Sequence, residues 1–252
     1  MVKLVSALFA GCLAAIVGGS ARADQPVELK ALVDKALKAM GGADKVSKLK
    51  TSSWKGKGTL LIDGTSVPYT EESATQQPDQ FRFEMELDFN GQKLNQILVI
   101  DGDKGWIKVA NQTTDMPKNV RSALKDYFYA LGLAMNPAGF LDKEVKLAPL
   151  GEIKVGDKTA VGIQAVRMGR RDVNLYFDKD TGLPLKIDLT AGRLEDEMEV
   201  SFEFLFNEYK DFDGAKVCTQ MTWKRDGKVY LEREVSEIKT QEKLGDGVFN
   251  KP

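Results

Sequence analysis

The chain has 252 residues, with 36 basic residues against 37 acidic ones and no histidine. Histidine is the commonest general base near neutral pH and the commonest metal ligand. Its absence excludes Ser-His-Asp triads, Cys-His pairs and zinc sites with histidine ligands. The charges are balanced and evenly mixed, so the composition gives no basic surface for nucleic acid. These numbers leave a non-catalytic protein or an enzyme that works without histidine.

Residues 1–23 have the three parts of a removable secretory signal. Lys3 supplies a positive start, residues 4–17 form an uncharged apolar run, and a small-x-small pattern ends at Ala23. The run is shorter than the roughly 20 apolar residues that a bilayer span needs. We therefore expect cleavage after Ala23, export from the cytoplasm, and a single domain over residues 24–252.

The two cysteines lie at positions 12 and 218. Residues 9–12 resemble a lipoprotein cleavage box, in which Cys12 would carry lipid. Phe9 stands where leucine is usual and the apolar run continues to Val17, which favours a plain signal over a lipid anchor. Cleavage would leave Cys218 alone, with no internal disulfide, and a net charge of −3 from 34 basic and 37 acidic residues. We expect an ordinary hydrophobic core to stabilise the chain.

The mature chain begins with a helix. Its apolar positions recur at helical spacing on one face, at Leu29, Leu32, Val33, Ala36, Leu37 and Met40. Pro26 suits a first turn, and Gly41-Gly42 predicts the end of the helix. A short turn around Val46 and Leu49 follows.

From Ser52 the apolar period changes to two. Residues 80–89 alternate most clearly, with apolar side chains at odd positions and charged ones at even positions. Asn90-Gly91 then predicts a type I′ hairpin. Repeated glycine turns predict an antiparallel meander of about 11 or 12 strands. The predicted strands are 52–62, 65–76, 80–89, 92–100, 105–110, 145–153, 158–168, 171–178, 183–190, 197–208, 216–225 and 228–239.

One helix interrupts the meander. Pro117 predicts its start, an apolar face runs from Val120 to Leu131, and Gly132 predicts its end. The segment 133–141 is then expected to be an unusually apolar loop, which must be covered by the body or must cover something.

Several motifs, taken in order, resemble the periplasmic outer-membrane lipoprotein carriers, the LolA/LolB-like superfamily. They are the helix ending in Gly41-Gly42, the Pro-x-x-Phe strand entry at 78–81, the Asp-Gly-x-x-x-Trp hairpin at 101–106, and the turn at 176–184. The resemblance covers nearly the whole mature chain. It implies a mainly β fold with flanking helices (α+β), in which helices plug the open side of an unclosed antiparallel barrel.

The resemblance also implies a hollow for acyl chains beneath a helical lid. The best-studied carriers have an arginine before the proline that starts the third strand, and it holds the lid shut. Here that position is Gln77, which can form hydrogen bonds but gives no charge-assisted contact. The predicted lid residues are Gln77, Phe128, Leu133, Met135 and Phe140.

Two strand faces are candidates for the wall of the hollow. The predicted cavity residues are Trp54, Phe81, Phe83, Met85, Leu87, Trp106, Val200, Phe202 and Phe204. Both a ligand cavity and a solid core need inward apolar side chains, so the pattern alone leaves both open.

We therefore predict a non-catalytic periplasmic carrier or binding protein for lipids or lipoprotein acyl chains. The implied partners are a lipid or acylated lipoprotein, with an inner-membrane donor and an outer-membrane acceptor. The prediction includes a monomer and no cofactor, metal or nucleic acid. Two alternatives stay open, a carboxylate-based hydrolase on the same half-barrel and an envelope structural module with a solid core.

Overall fold

The computed structural model describes residues 25–194, 196 and 198–252, so the predicted signal and Cys12 lie outside the described residues. This part of the chain forms one antiparallel sheet of 13 strands, in the order β6-β5-β4-β3-β2-β1-β13-β12-β11-β10-β9-β8-β7. Nearly every strand pairs with its neighbours in sequence, and β1 also pairs with β13. Strands β6 and β7 are the two edges of the sheet and do not pair with each other, so the sheet is unclosed.

The elements have the following bounds. The α-helices are α1 (Gln25–Ala39), α2 (Ala43–Val46) and α3 (Lys118–Met135), and 3₁₀ helices cover Ser47–Lys50 and Pro137–Leu141. The first strands are β1 (Thr51–Ile62), β2 (Thr65–Gln76), β3 (Gln80–Phe89), β4 (Gln92–Asp101), β5 (Lys104–Val109) and β6 (Gln112–Asp115). The later strands are β7 (Val145–Val155), β8 (Lys158–Arg167), β9 (Val173–Asp178), β10 (Pro184–Gly192), β11 (Glu199–Phe212), β12 (Ala215–Arg225) and β13 (Lys228–Thr240).

The predicted meander is confirmed, with one strand more than expected. Strand β6 consists of Gln112, two threonines and Asp115, so it lacks the alternation by which a strand is predicted. The hairpin between β3 and β4 is as predicted, since Asn90 and Gly91 have φ angles of 55° and 90° and Phe89 pairs with Gln92.

The predicted end of the second long helix is wrong. Helix α3 continues through Gly132 to Met135, and the Asn136 N–H donates to the Gly132 carbonyl at 2.8 Å. Leu133 and Ala134 are buried, so tertiary packing sustains the last turn beyond the glycine. The expected apolar loop is therefore the end of α3 followed by a 3₁₀ helix. No helix in the described ranges is long and apolar enough to cross a membrane.

Helix α3 lies in the connection between the two edge strands. The chain leaves the sheet at β6, passes through α3, where it packs against β10, and re-enters the sheet at β7. Helix α1 packs against the second 3₁₀ helix and against β7. Buried side chains of both helices share one core with inward residues of strands from both halves of the sheet, including Phe81, Phe177 and Phe204.

The C-terminal segment covers part of the other face of the sheet. Leu244 and Phe249 pack with Ile97 and Val99, and Trp106 joins this cluster. The Leu244 N–H donates to the Gln76 side-chain oxygen at 3.4 Å. Residues after β13 thus give β2, β4 and β5 a second buried face.

Candidate functional site

A cavity of about 1440 Å³ lies between α3 and the inner faces of β1–β5 and β11–β13. Its wall on the β3 side is one continuous apolar face, because residues two apart on a strand point the same way. That wall consists of Phe81, Phe83, Met85 and Leu87. The cavity exceeds the 300–1,000 Å³ range of ordinary small-molecule pockets.

Aromatic rings line the part of the cavity beneath α3. The Phe81 and Phe83 rings are stacked with centroids 6.4 Å apart. Phe128 of α3 reaches Phe81, with ring centroids 3.5 Å apart. This contact joins the helix to the β3 wall, so any movement of α3 away from the sheet would separate these two rings.

Two glycines on the inner face of β1 make room for side chains of the neighbouring strands. A Cβ at Gly58 would lie 2.6 Å from the Tyr69 hydroxyl and 2.0 Å from the Glu232 carbonyl oxygen. A Cβ at Gly56 would lie 3.1 Å from Glu71 Oε1 and 2.8 Å from the Glu234 carbonyl oxygen. Side chains from β2 therefore pass over β1 at these two positions.

A buried ion pair crosses β1 through this space. Arg233 of β13 donates from Nε to Glu71 Oε1 of β2 at 2.6 Å, and its Nη2 also contacts that oxygen. The Glu71 side chain is 1% exposed and that of Arg233 is 14% exposed. The Arg233 guanidinium also lies 5.4 Å from the centroid of the Trp54 ring. Because the two charges neutralise each other, the pair adds a polar point to the cavity without adding net charge.

Two more polar groups lie beside this pair. Trp54 and Ser73 are directly opposite each other on β1 and β2, and both line the cavity. Within the described residues, the indole Nε1 and the Ser73 hydroxyl are buried and have no hydrogen-bond partner. We call Trp54, Glu71, Ser73 and Arg233 the polar cluster. It is an exception in a wall that is otherwise largely apolar.

Burial disfavours the ionised form of two groups that line the cavity, Tyr69 and Cys218. Burial raises the pKa of Tyr69 above its usual range, and the nearby Glu71 carboxylate adds to this effect. Burial likewise raises the pKa of the Cys218 thiol to about 11. A thiol with so high a pKa is almost entirely protonated at neutral pH and is a poor nucleophile.

The carboxylates that line the cavity differ in burial. Glu71 is buried and held by Arg233, whereas the other carboxylates of the lining are on exposed residues, namely Asp63, Asp79, Asp142 and Glu144. In the described part of the chain, no cluster of three metal-ligating side chains occurs.

The structure brings most of the predicted site residues to the cavity. Trp54, Phe81, Phe83, Met85, Leu87 and Phe202 line it, as do the predicted lid residues Gln77, Phe128, Leu133 and Met135. The Gln77 amide lies against α3, since a Cβ at Gly132 would be 3.4 Å from its Nε2. Gln77, where the resemblance implies an arginine in the carriers, therefore lies beside α3.

Four predicted residues lie elsewhere. Trp106 packs on the opposite face of the sheet with Val99 and the C-terminal segment, because its neighbour Ile107 takes the inward position on β5. Val200 and Phe204 are buried in the core, and Phe204 packs edge-on against Trp223 with ring centroids 4.7 Å apart. The fourth is a predicted lid residue. Phe140 is fully buried against Phe177, with ring centroids 6.1 Å apart.

The sequence prediction missed the polar cluster apart from Trp54. The sequence did indicate the cluster, because charged or polar residues occur there at positions that alternate in phase with apolar ones. Glu71 shares the alternation of Val67 and Tyr69, and Arg233 that of Leu231 and Val235. A charge in phase with buried positions predicts a buried partner, but the pattern does not say which residue it is.

Comparisons with known proteins agree with this architecture at the level of the fold. No family model and no curated protein matches the sequence. A DUF1329 family protein from Desulfovibrio piger superposes with a TM-score of 0.56 at 14% identity, over 87% of this chain and 96% of that one.

Two further similar structures are named for the class of protein that the sequence resembles. A LolA superfamily protein from Nitrosomonas europaea gives a TM-score of 0.53 at 10% identity, over 83% of this chain and 97% of that one. An outer membrane lipoprotein-sorting protein domain from Vibrio parahaemolyticus gives 0.54 at 12% identity, over 87% and 97%. The chain therefore has a LolA-like fold.

Proposed function

We propose that this chain is a non-catalytic carrier or binding protein that holds a lipid, or the acyl chains of a lipoprotein, in the cavity between the sheet and α3. The cavity of about 1440 Å³, with its aromatic and aliphatic wall, is the observation that carries the proposal. Each buried CH₂ of a ligand contributes about 0.8 kcal/mol, so a long acyl chain needs few polar contacts to bind.

The alternatives receive less support. A hydrolase with two carboxylates needs both acids at one point, and Glu71 is the buried carboxylate among the described cavity residues. Its ion pair with Arg233 holds it in place. A structural module with a solid core would have inward side chains in mutual contact, and the cavity argues against that arrangement.

The same proposal places the protein in the periplasm. Its basis is the predicted signal at residues 1–23, with cleavage after Ala23, and Cys12 is then removed with the signal. A carrier there would receive its ligand from an inner-membrane donor and release it to an outer-membrane acceptor. Helix α3 with the following 3₁₀ helix is the proposed lid, and the contact of Gln77 with Gly132 is the proposed latch.

Native mass spectrometry of the mature protein, purified from its own envelope, tests the proposal. We expect a bound lipid mass that Phe83→Asp removes, since this change puts a carboxylate into the apolar wall next to Phe81. Phe89→Asp is the matched control. It lies on the same strand and in the same alternation, but Phe89 is 37% exposed and does not line the cavity.

Circular dichroism of both variants separates loss of ligand from loss of fold. A wild-type protein that is empty as purified and binds neither a fluorescent fatty acid nor a lipopeptide would refute the carrier proposal, whatever the variants do.

A further inference from the structure

The polar cluster contains hydrogen-bonding capacity that the described protein leaves unused. Trp54 Nε1 and the Ser73 hydroxyl are buried without a partner, and Ser73 is only 4% exposed. Buried polar groups in native proteins are nearly always hydrogen-bonded. Two neighbouring groups that both lack a hydrogen-bond partner therefore need an explanation. Both residues line the cavity, but the two polar atoms themselves are covered, so a ligand reaches them where a neighbouring side chain moves aside.

The chemistry of the two groups restricts what they can bind. An indole N–H only donates, and a hydroxyl both donates and accepts. Together they suit an oxygen that accepts two hydrogen bonds, such as a carbonyl. The nearby Arg233 is already paired with Glu71, so the cluster carries no net charge for an anionic headgroup.

The position of the cluster along the strands restricts the ligand further. On one side lie Met85, Leu87 and Leu231, which line the cavity and belong with Tyr69 to a second hydrophobic cluster. On the other side lie Phe81 and Phe128 beneath α3. A bound molecule that reaches the cluster therefore has apolar surroundings in both directions.

We infer that the polar cluster binds the carbonyl of a neutral ester or amide that carries an apolar chain on each side. This inference rests on the proposed function and specifies its ligand. Trp54 and Ser73 donate to the carbonyl oxygen, while the Glu71–Arg233 pair fixes the neighbouring wall. A terminal carboxylate or phosphate suits the cluster less well, because Arg233, its one cation, is already paired with Glu71.

Displacement of the neutral dye N-phenyl-1-naphthylamine from the mature protein measures this preference. The competitors are hexyl decanoate, an ester with its carbonyl inside the chain, and two compounds of similar length, an unbranched alkane and an unbranched fatty acid. For wild type we expect the ester to bind about 3- to 10-fold more tightly than the alkane, the range that one net hydrogen bond gives.

Two variants assign that preference to the cluster. We expect Ser73→Ala and Trp54→Phe each to lower the ester's affinity by about 3- to 10-fold relative to the alkane's. Ser66→Ala on an exposed part of β2 and Trp106→Phe on the other face of the sheet are the matched controls, and neither should change the ratio. Comparing ester with alkane in every variant removes general effects of misfolding or lost packing.

Each outcome decides the inference. An ester preference that both cluster variants abolish supports it. Equal binding of ester and alkane by wild type, tighter binding of the fatty acid than of the ester, or equal weakening of both by the variants overturns it while leaving the carrier proposal intact. If none of the compounds displaces the dye and no dye binds, the carrier proposal fails together with the inference.

Discussion

Breaking the ion pair inside the cavity should destabilise the fold strongly. Arg233→Met keeps most of the side-chain volume but removes the guanidinium that neutralises Glu71, whose side chain is 1% exposed. The carboxylate would then be buried without a partner in an apolar wall, which is among the most costly single changes in a protein. The variant also removes the cation from beside the Trp54 ring, a smaller contribution of about 0.5–1 kcal/mol.

The expected magnitude follows from this burial. Removing one partner of a buried ion pair costs about 3–5 kcal/mol, and the 14% exposure of Arg233 places this case near the lower figure. Replacing both charges costs much less, because no unpaired charge remains. We therefore expect the double variant Glu71→Gln with Arg233→Met to lose less stability than the two single variants together, with a coupling of about 2–3 kcal/mol.

Urea unfolding followed by circular dichroism measures all four free energies of unfolding. Lys55→Met is the control, because Lys55 of β1 pairs with Glu72 of β2 at 2.7 Å on the outer face of the sheet, with both side chains more than half exposed. That pair should contribute no more than about 1 kcal/mol. If Arg233→Met costs no more than Lys55→Met, or if the two cavity substitutions are simply additive, the buried-pair reasoning is wrong.

Two further predictions concern packing and pH. Gly58→Ala should lower the free energy of unfolding in urea by about 1–3 kcal/mol, because its Cβ would lie 2.0 Å from a backbone oxygen and 2.6 Å from the Tyr69 hydroxyl. Gly245→Ala is the control and should change little, since a Cβ there has nothing within 4 Å. Equal losses in the two variants would contradict the close packing over β1. Asp126→Asn should stabilise the protein at neutral pH, since burial raises the pKa of Asp126 and so penalises its ionised form in the fold. Because the pKa of Asp126 is raised in the fold, wild type gains stability as the pH falls through that pKa. The extra stability of Asp126→Asn over wild type should therefore vanish in acid. If that extra stability does not depend on pH, the burial of the Asp126 carboxylate is not its cause.

The alternation of the strands could be predicted from the sequence because it is a local property. Phe81, Phe83, Met85 and Leu87 are on one face in any sheet that contains residues 80–89, since successive side chains point to opposite sides. The Asn90-Gly91 hairpin follows from the positive φ angles that these two residues tolerate.

Other elements depended on contacts that have no local signal. Strand β6 forms because β5 offers it an edge, although its own residues are polar. Helix α3 continues past Gly132 because Leu133 and Ala134 find buried positions. Trp106 faces outward because the C-terminal segment supplies an apolar cover there. In each case a distant part of the chain decided the outcome.

The sequence by itself determined which side chains share a face and where most turns fall, because those properties depend on residues within two to four positions of one another. Only the tertiary structure decided that Phe202 lines a cavity while Phe204, on the same face and similarly buried, does not. It also brought Glu71 and Arg233 together, although 162 residues separate them, by placing β1 and its glycines between β2 and β13. Periodicity fixes direction, whereas the space between layers and the partner of a buried charge depend on how the whole sheet pairs and curves around the helices.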